Sequence, residues 1–139
     1  MLMHCDFVYA AKDVRFQIPF VPLGLCPEGA SSVLLSHYVG IRVANEWLYR
    51  GRPFTTEQAH QAGLISAVSE SGQALADAQK LADEFAAQSL LSLKTTKRLL
   101  KRKMGPVIEE AFQIEREAFV ECLQSPQAQA AFAQFLNKK

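Results

Sequence analysis

Glu28 is the side chain best placed to do chemistry in this sequence. It stands in the stretch FQIPFVPLGLCPEGASSVLLSHYVG, residues 16–40. That stretch opens as an extended apolar segment, bends at Pro22 and Gly24, and reads as a helix from Pro27. Proline suits the first helical position, because the N–H it lacks would be unpaired there. Glu28 then falls in the first turn, with Leu23, Leu25 and Pro27 as apolar neighbours. A carboxylate at the mouth of a strand–turn–helix junction, against an apolar wall, is suited to proton transfer. The position has a plainer explanation too. The helix macrodipole favours an acid in the first turn, whatever else that acid does.

Other groupings point to less. His4, His37 and His60 are isolated, with no second ligand at metal spacing, so no metal is predicted. Ser31 and Ser32 lack a G-x-S-x-G elbow, which argues against a serine nucleophile. Lys94, Lys97, Arg98, Lys101, Arg102 and Lys103 fall within one predicted helix. They form either a phosphate-binding patch or a solvated face that Glu109, Glu110, Glu115, Glu117 and Glu121 on the next helix neutralise. No aromatic is interleaved among them and no zinc or helix-turn-helix signature appears, so no nucleic-acid partner is expected.

The elements that must position these groups follow from the apolar periods. Leu2 to Ala10 reads as a strand covered on both faces, and Val14 to Ile18 as a second. Leu64 to Val68 is a third candidate. In the helix from Pro27, Val33, Leu34, Leu35 and Tyr38 supply the buried side. Arg42 to Arg50 buries Val43, Ala44, Trp47 and Leu48 and is closed by Gly51. Thr55 and Gln58 form a capping box, with Phe54 stapled onto Ala59. Ser71 caps a long helix to Gln88. Ser89 or Ser92 opens the next, and Pro106 another to Leu123, with Val107, Ala111, Ile114, Ala118 and Cys122 on one stripe. Ser125-Pro126 starts the last, where Ala128, Ala131, Phe132, Phe135 and Leu136 face inward.

The length of 139 residues fits one domain, and 49% hydrophobic with 21% charged residues fits a globular chain. A net charge of +1 excludes strong overall attraction to nucleic acid or membrane. No apolar run approaches the ~20 residues that cross a bilayer. The start MLMHCD is too short and too polar for a signal peptide. Cys5, Cys26 and Cys122 are odd in number and form no C-x-x-C, which suits free, mostly buried thiols in a reducing cytoplasm.

Cys5-Asp6-Phe7-Val8-Tyr9-Ala10, Arg15-Phe16, Pro19-Phe20, Leu23-Gly24 and Pro27-Glu28-Gly29 occur in an order that resembles the crotonase (enoyl-CoA hydratase/isomerase) family. The likeness continues through Gly51, Phe54, Glu57-Gln58-Ala59, Ala62-Gly63-Leu64 and Thr96-Lys97. The Pro27-Glu28-Gly29 turn looks like that of the Δ3,Δ2-enoyl-CoA isomerase branch. The resemblance implies an α/β ClpP/crotonase-like fold, of which this chain is the mostly helical C-terminal half with two or three short strands. Residues 1–26 would end the β core, and residues 27–139 would form the helical region, trimerisation helices included.

By the same resemblance, Glu28 takes a proton from C2 of an acyl-CoA thioester and returns it at C4. Phe20, Leu25 and Pro27 would lie along the acyl chain. Phe135 and Lys138 would reach the coenzyme A adenosine from a neighbouring subunit, although Ala130-Ala131 replaces the usual Glu-Gly of that motif. No cofactor is implied beyond the coenzyme A of the substrate. The assembly would be a homo-oligomer, a trimer or hexamer, in the cytoplasm and off the membrane. The oxyanion donors would precede Met1, leaving these 139 residues inactive alone. Hydratases of the family use two carboxylates, and the position of one is occupied here by Phe20. An enoyl-CoA hydratase or another crotonase-family reaction is the alternative within the family, and a non-catalytic helical oligomerisation module or a basic helical binding protein are the alternatives outside it.

Overall fold

A computed structural model describes residues 1–137, without the side chain of Phe135. Among the described residues four short strands form, one more than the two or three expected: β1 (Tyr9–Ala11), β2 (Arg15–Phe16), β3 (Phe54–Thr55) and β4 (Ala67–Ser69). β1 pairs in parallel with β4, Ala10 opposite Val68. β2 pairs antiparallel with β3, Phe16 opposite Phe54. The predicted strand over Leu2–Ala10 is corrected. Leu2–His4 is a 3-10 turn, and only Val8 and Ala10 of this run are buried. Val8 and Ala10 face the main core, whereas Phe7 points the other way, where the Phe85 ring, 5.1 Å off between centroids, leaves it half exposed, so the run is not covered evenly on both faces.

Helices carry most of the chain: α1 (Ser31–Arg50), α2 (Thr56–Gln61), α3 (Ala74–Ala86), α4 (Leu90–Lys101), α5 (Met104–Leu123) and α6 (Pro126–Leu136). α1 is broken at Gly40, whose φ of 75° and ψ of 153° are non-helical, so the predicted boundary before Arg42 is a kink. Its buried face runs Ser31, Leu34, Leu35, Val39, and then Ala44, Trp47 and Leu48. Tyr38, expected inside, is exposed, while Leu34 and Leu35, also expected inside, are buried. Trp47 stacks on Phe54 with centroids 3.8 Å apart, and Phe54 on Phe16 at 5.6 Å. This ladder anchors the main core, which also holds Val8, Ala10, Ala59 and Ile65. A smaller core joins α1 to α5 through Ala30, Leu34 and Ala111.

The caps at Ser89, Thr55 and Ser125 form as predicted. Ser89 Oγ accepts the Ser92 N–H, and Thr55 and Gln58 make the reciprocal box. Ser125 Oγ accepts the Ala128 N–H at 3.2 Å. Thr56 is fully buried and donates its hydroxyl to the Ala11 and Val14 carbonyls, tying α2 to the β1–β2 turn. Three expectations shift. Ser71 does not cap α3, because a turn through Gly72 delays the helix to Ala74. α5 starts at Met104, and Pro106 sits in its first turn, where its missing N–H costs nothing. The buried stripe of α5 is Ala111 and Glu115, flanked by Met104 and Ile108, whereas Val107 and Ile114 face outward, as does Leu136 on α6.

Gly51 closes α1 in the left-handed region (φ 54°) and its N–H bonds the Trp47 carbonyl at 3.0 Å. A methyl there would stand 2.6 Å from Pro22 Cγ. Gly72 has φ 79° but open space around it. Both would carry the left-handed cost of about 1–2 kcal/mol on gaining a Cβ, and only Gly51 would add a clash of about 1–3 kcal/mol. Urea unfolding is therefore expected to show Gly51→Ala well below Gly72→Ala in stability. Equal losses would contradict this packing.

Candidate active site

The segment before α1 is built from tight, left-handed turns. Val21–Leu23 is a single 3-10 turn ended by Gly24 at φ 72°. Leu25 to Glu28 belongs to no regular element, and Gly29 (φ 69°) and Ala30 (φ 59°) follow in the left-handed region. Two successive left-handed residues cannot belong to a right-handed helix. α1 therefore begins at Ser31, not Pro27, and Glu28 stands outside it. Ala30 is fully buried and is, among the described residues, the one non-glycine residue with positive φ, a conformation costing about 1–2 kcal/mol.

The acid at the N-terminus of α1 is Glu115, from the middle of α5. Its Oε2 accepts the Ala30 N–H at 2.6 Å and its Oε1 the Ser32 N–H at 2.8 Å. Glu115 is 7% exposed. A buried carboxylate is tolerated there because two N–H donors and the positive end of the helix replace its water. From the opposite side, His4 Nε2 donates to the Gly29 carbonyl at 2.8 Å. The His4 ring stacks on Phe112 of α5, with centroids 5.8 Å apart.

Glu28, His4, Gly29, Phe112, Glu115 and Arg116 line a cavity of 510 Å³. Glu28 is exposed, and among the described residues its carboxylate makes no hydrogen bond or ion pair. Glu28 lies ahead of the first turn of α1 and is not its helix-start acid, a place that Glu115 fills. Phe20 packs against the main core, Leu25 is buried and Pro27 is half-buried. None of the three lines this cavity. Phe135 lies on α6, and its side chain and Lys138 are outside the described residues.

A larger cavity, of 930 Å³, separates the first residues and α1 from α3 and α4. Lys97 and Lys101 on its rim both pair with Asp6. The Lys101 ammonium first, and Lys97 with it, holds the Asp6 carboxyl below the usual carboxylate range. The acids of α5 expected to neutralise the basic helix do not pair with it among the described residues, and Glu115 points inward instead. The cysteines are less buried than expected: Cys5 is exposed, Cys26 and Cys122 half-buried.

His4 and Glu115 were not singled out as site residues in the sequence. The signal for Glu115 was its place four residues after Ala111 on α5, an acid in an otherwise apolar row. The stripe read from Val107 and Ile114 lies one face around the helix and hides it.

The enoyl-CoA hydratase/isomerase profile matches residues 1–139, the whole sequence. The chain belongs to that family. It is 36% identical to an enoyl-CoA hydratase/isomerase from Pseudoalteromonas atlantica T6c, whose crystal structure superposes with a TM-score of 0.93 over 99% of this chain and 56% of the other. It is 28% identical to the short-chain-enoyl-CoA hydratase of Clostridium acetobutylicum over 99% of the chain and 52% of the relative. It is 30% identical to the 2,3-dehydroadipyl-CoA hydratase of Escherichia coli over 97% and 53%. The chain thus spans about half the length of these relatives. The fold is the crotonase-type α/β fold in its mostly helical part.

Cys26, two residues before Glu28, reports on this loop. Burial first, and the neighbouring Cys122 thiol next, push its thiol up to about 11. Burial disfavours the thiolate, which is the form that alkylates, so reactivity should appear only as pH rises toward that value. Peptide mass spectrometry after brief iodoacetamide treatment at pH 8 is expected to find exposed Cys5 labelled and Cys26 spared. Equal labelling would mean that the loop is open.

Proposed function

We propose that the protein acts by carboxylate-mediated proton transfer on an enoyl-CoA thioester, with Glu28 as the acid/base. The observation that carries this is an unengaged carboxylate facing a cavity whose other carboxylate, Glu115, is fully occupied by backbone N–H groups. The cavity is within the size range of small-molecule sites. The chain spans half its relatives' length, so the activity is proposed for the whole protein that contains it, with further groups supplying donors for the thioester oxygen.

Two reactions of the family fit. The names of the curated relatives favour hydration, in which a water oxygen adds at C3 and a proton is delivered at C2. A lone free carboxylate favours double-bond migration instead, since one group can carry the proton from C2 to C4. Phe20, at the position where the resemblance expects a second acid, supports the latter. The isomerase assignment read from Pro27-Glu28-Gly29 gains no support from the relatives' names, and hydration stands as the leading reading. The assembly is proposed to be a homo-oligomer, because Leu99, Leu100, Ile114, Val120 and Leu123 are exposed on α4 and α5.

Glu28→Gln keeps the side chain's shape and removes its basicity. In the whole protein, acyl-CoA binding by calorimetry should stay within a few-fold of wild type. Hydration of a 2-enoyl-CoA, or isomerisation of a 3-enoyl-CoA, should fall about a hundredfold or more. Assaying both substrates distinguishes the two reactions. Wild-type turnover of both by the variant would end the proposal.

Sedimentation velocity at micromolar concentration is expected to show a species larger than one chain. A compact monomer would remove the oligomer.

A further inference from the structure

We propose that Glu115 and His4 are positioning residues that lock the Gly29–Ala30 peptide and so hold Glu28 over its cavity. This rests on the reading of Glu28 given above. The two hydrogen bonds meet one peptide unit. His4 Nε2 donates to its carbonyl oxygen, on Gly29, and Glu115 Oε2 accepts from its N–H, on Ala30. In a trans peptide these two groups point in opposite directions, so the unit is gripped from both sides.

The grip opposes a definite motion. Rotating this peptide plane changes ψ of Gly29 and φ of Ala30, and wherever the two changes do not cancel, the chain before Gly29 turns relative to α1. Ala30 at φ 59° is strained, and a flip to negative φ would relieve that strain. Gly29 offers no steric resistance, for nothing lies within 4 Å of where its Cβ would be. The unrestrained turn is thus expected to flip, and both bonds would break when it does. Glu28 adjoins this unit, so the flip would re-aim its carboxylate.

Glu115 is suited to holding rather than to reacting. Both of its oxygens are engaged, at 2.6 and 2.8 Å, and it reaches back 85 residues to do so. His4 comes from the other direction and is itself held by stacking on Phe112, three residues before Glu115 on α5. One helix therefore supports both halves of the grip.

The test uses three variants of the whole protein beside Glu28→Gln. His4→Phe keeps an aromatic ring against Phe112 and loses the donor. His4→Gln keeps a donor. Glu115→Gln replaces one acceptor with an amide that faces a backbone N–H. On the substrate that wild type turns over, His4→Phe and Glu115→Gln should lose about tenfold to a hundredfold in kcat with KM within a few-fold, the scale of a misaimed group. His4→Gln should recover most of that loss. Hydrogen exchange at the Ala30 amide should speed up in His4→Phe and Glu115→Gln, and this readout needs no activity. Faster exchange with an active Glu28→Gln protein would keep the lock and discard Glu28 as the acid/base. Unchanged exchange and kcat in His4→Phe would overturn the lock, even if Glu28→Gln is inactive. Should Glu115→Gln fail to fold, the two His4 variants decide alone.

Discussion

The carboxylate of Glu115 at the N-terminus of α1 is the interaction on which the rest of the site depends. A helix start leaves backbone N–H groups without partners. Here the residues around that start, Gly29, Ala30 and Ser31, offer no side-chain cap. An acid from 85 residues further along supplies it, and the burial of that acid forces α5 to lie against α1. The small apolar core of Ala30, Leu34 and Ala111 closes over the same contact. Removing the carboxylate would leave orphaned donors in an apolar setting, which is costlier than never having built the pair. The cap and the packing are therefore one arrangement.

That arrangement divides two acids that share a cavity. Glu115 is buried, doubly bonded and spent on structure. Glu28 is exposed and unengaged, and left-handed turns carry it clear of the helix. The difference is in their surroundings and not in their chemistry, since both are glutamates. A proton acceptor needs lone pairs that nothing else has taken, and among the described residues Glu28 is the one of the two whose carboxylate makes no hydrogen bond or ion pair, which is why the proposed role falls to it.

The other side of the molecule is held differently. The Trp47–Phe54–Phe16 stack and the buried aliphatic residues around it make a dense core, whereas α4 lies loosely against the rest of the chain. Asp6 fastens it through Lys97 and Lys101, at an exposed pair of ion contacts that contribute little stability. The large cavity beneath α4 follows from that sparse packing.

Local signals in the sequence set the parts that depend on neighbours in the chain. The capping box at Thr55 and Gln58, the Ser89 and Ser125 caps and the Gly51 terminus were legible because each is fixed by residues a few positions apart. The order of motifs was enough to point to the family, and the motif Pro27-Glu28-Gly29 to the candidate acid. The tertiary structure decided what depends on distant residues. It moved the start of α1 from Pro27 to Ser31, turned Tyr38 outward, and assigned Asp6 to the basic helix. It also made Glu115, which reads in the sequence as one surface acid among five, the buried cap of another helix. Periodicity gives a helix a buried side but not the neighbour that will cover it. Only when α5 met α1 was it settled which glutamate would hold the backbone and which would be left unengaged.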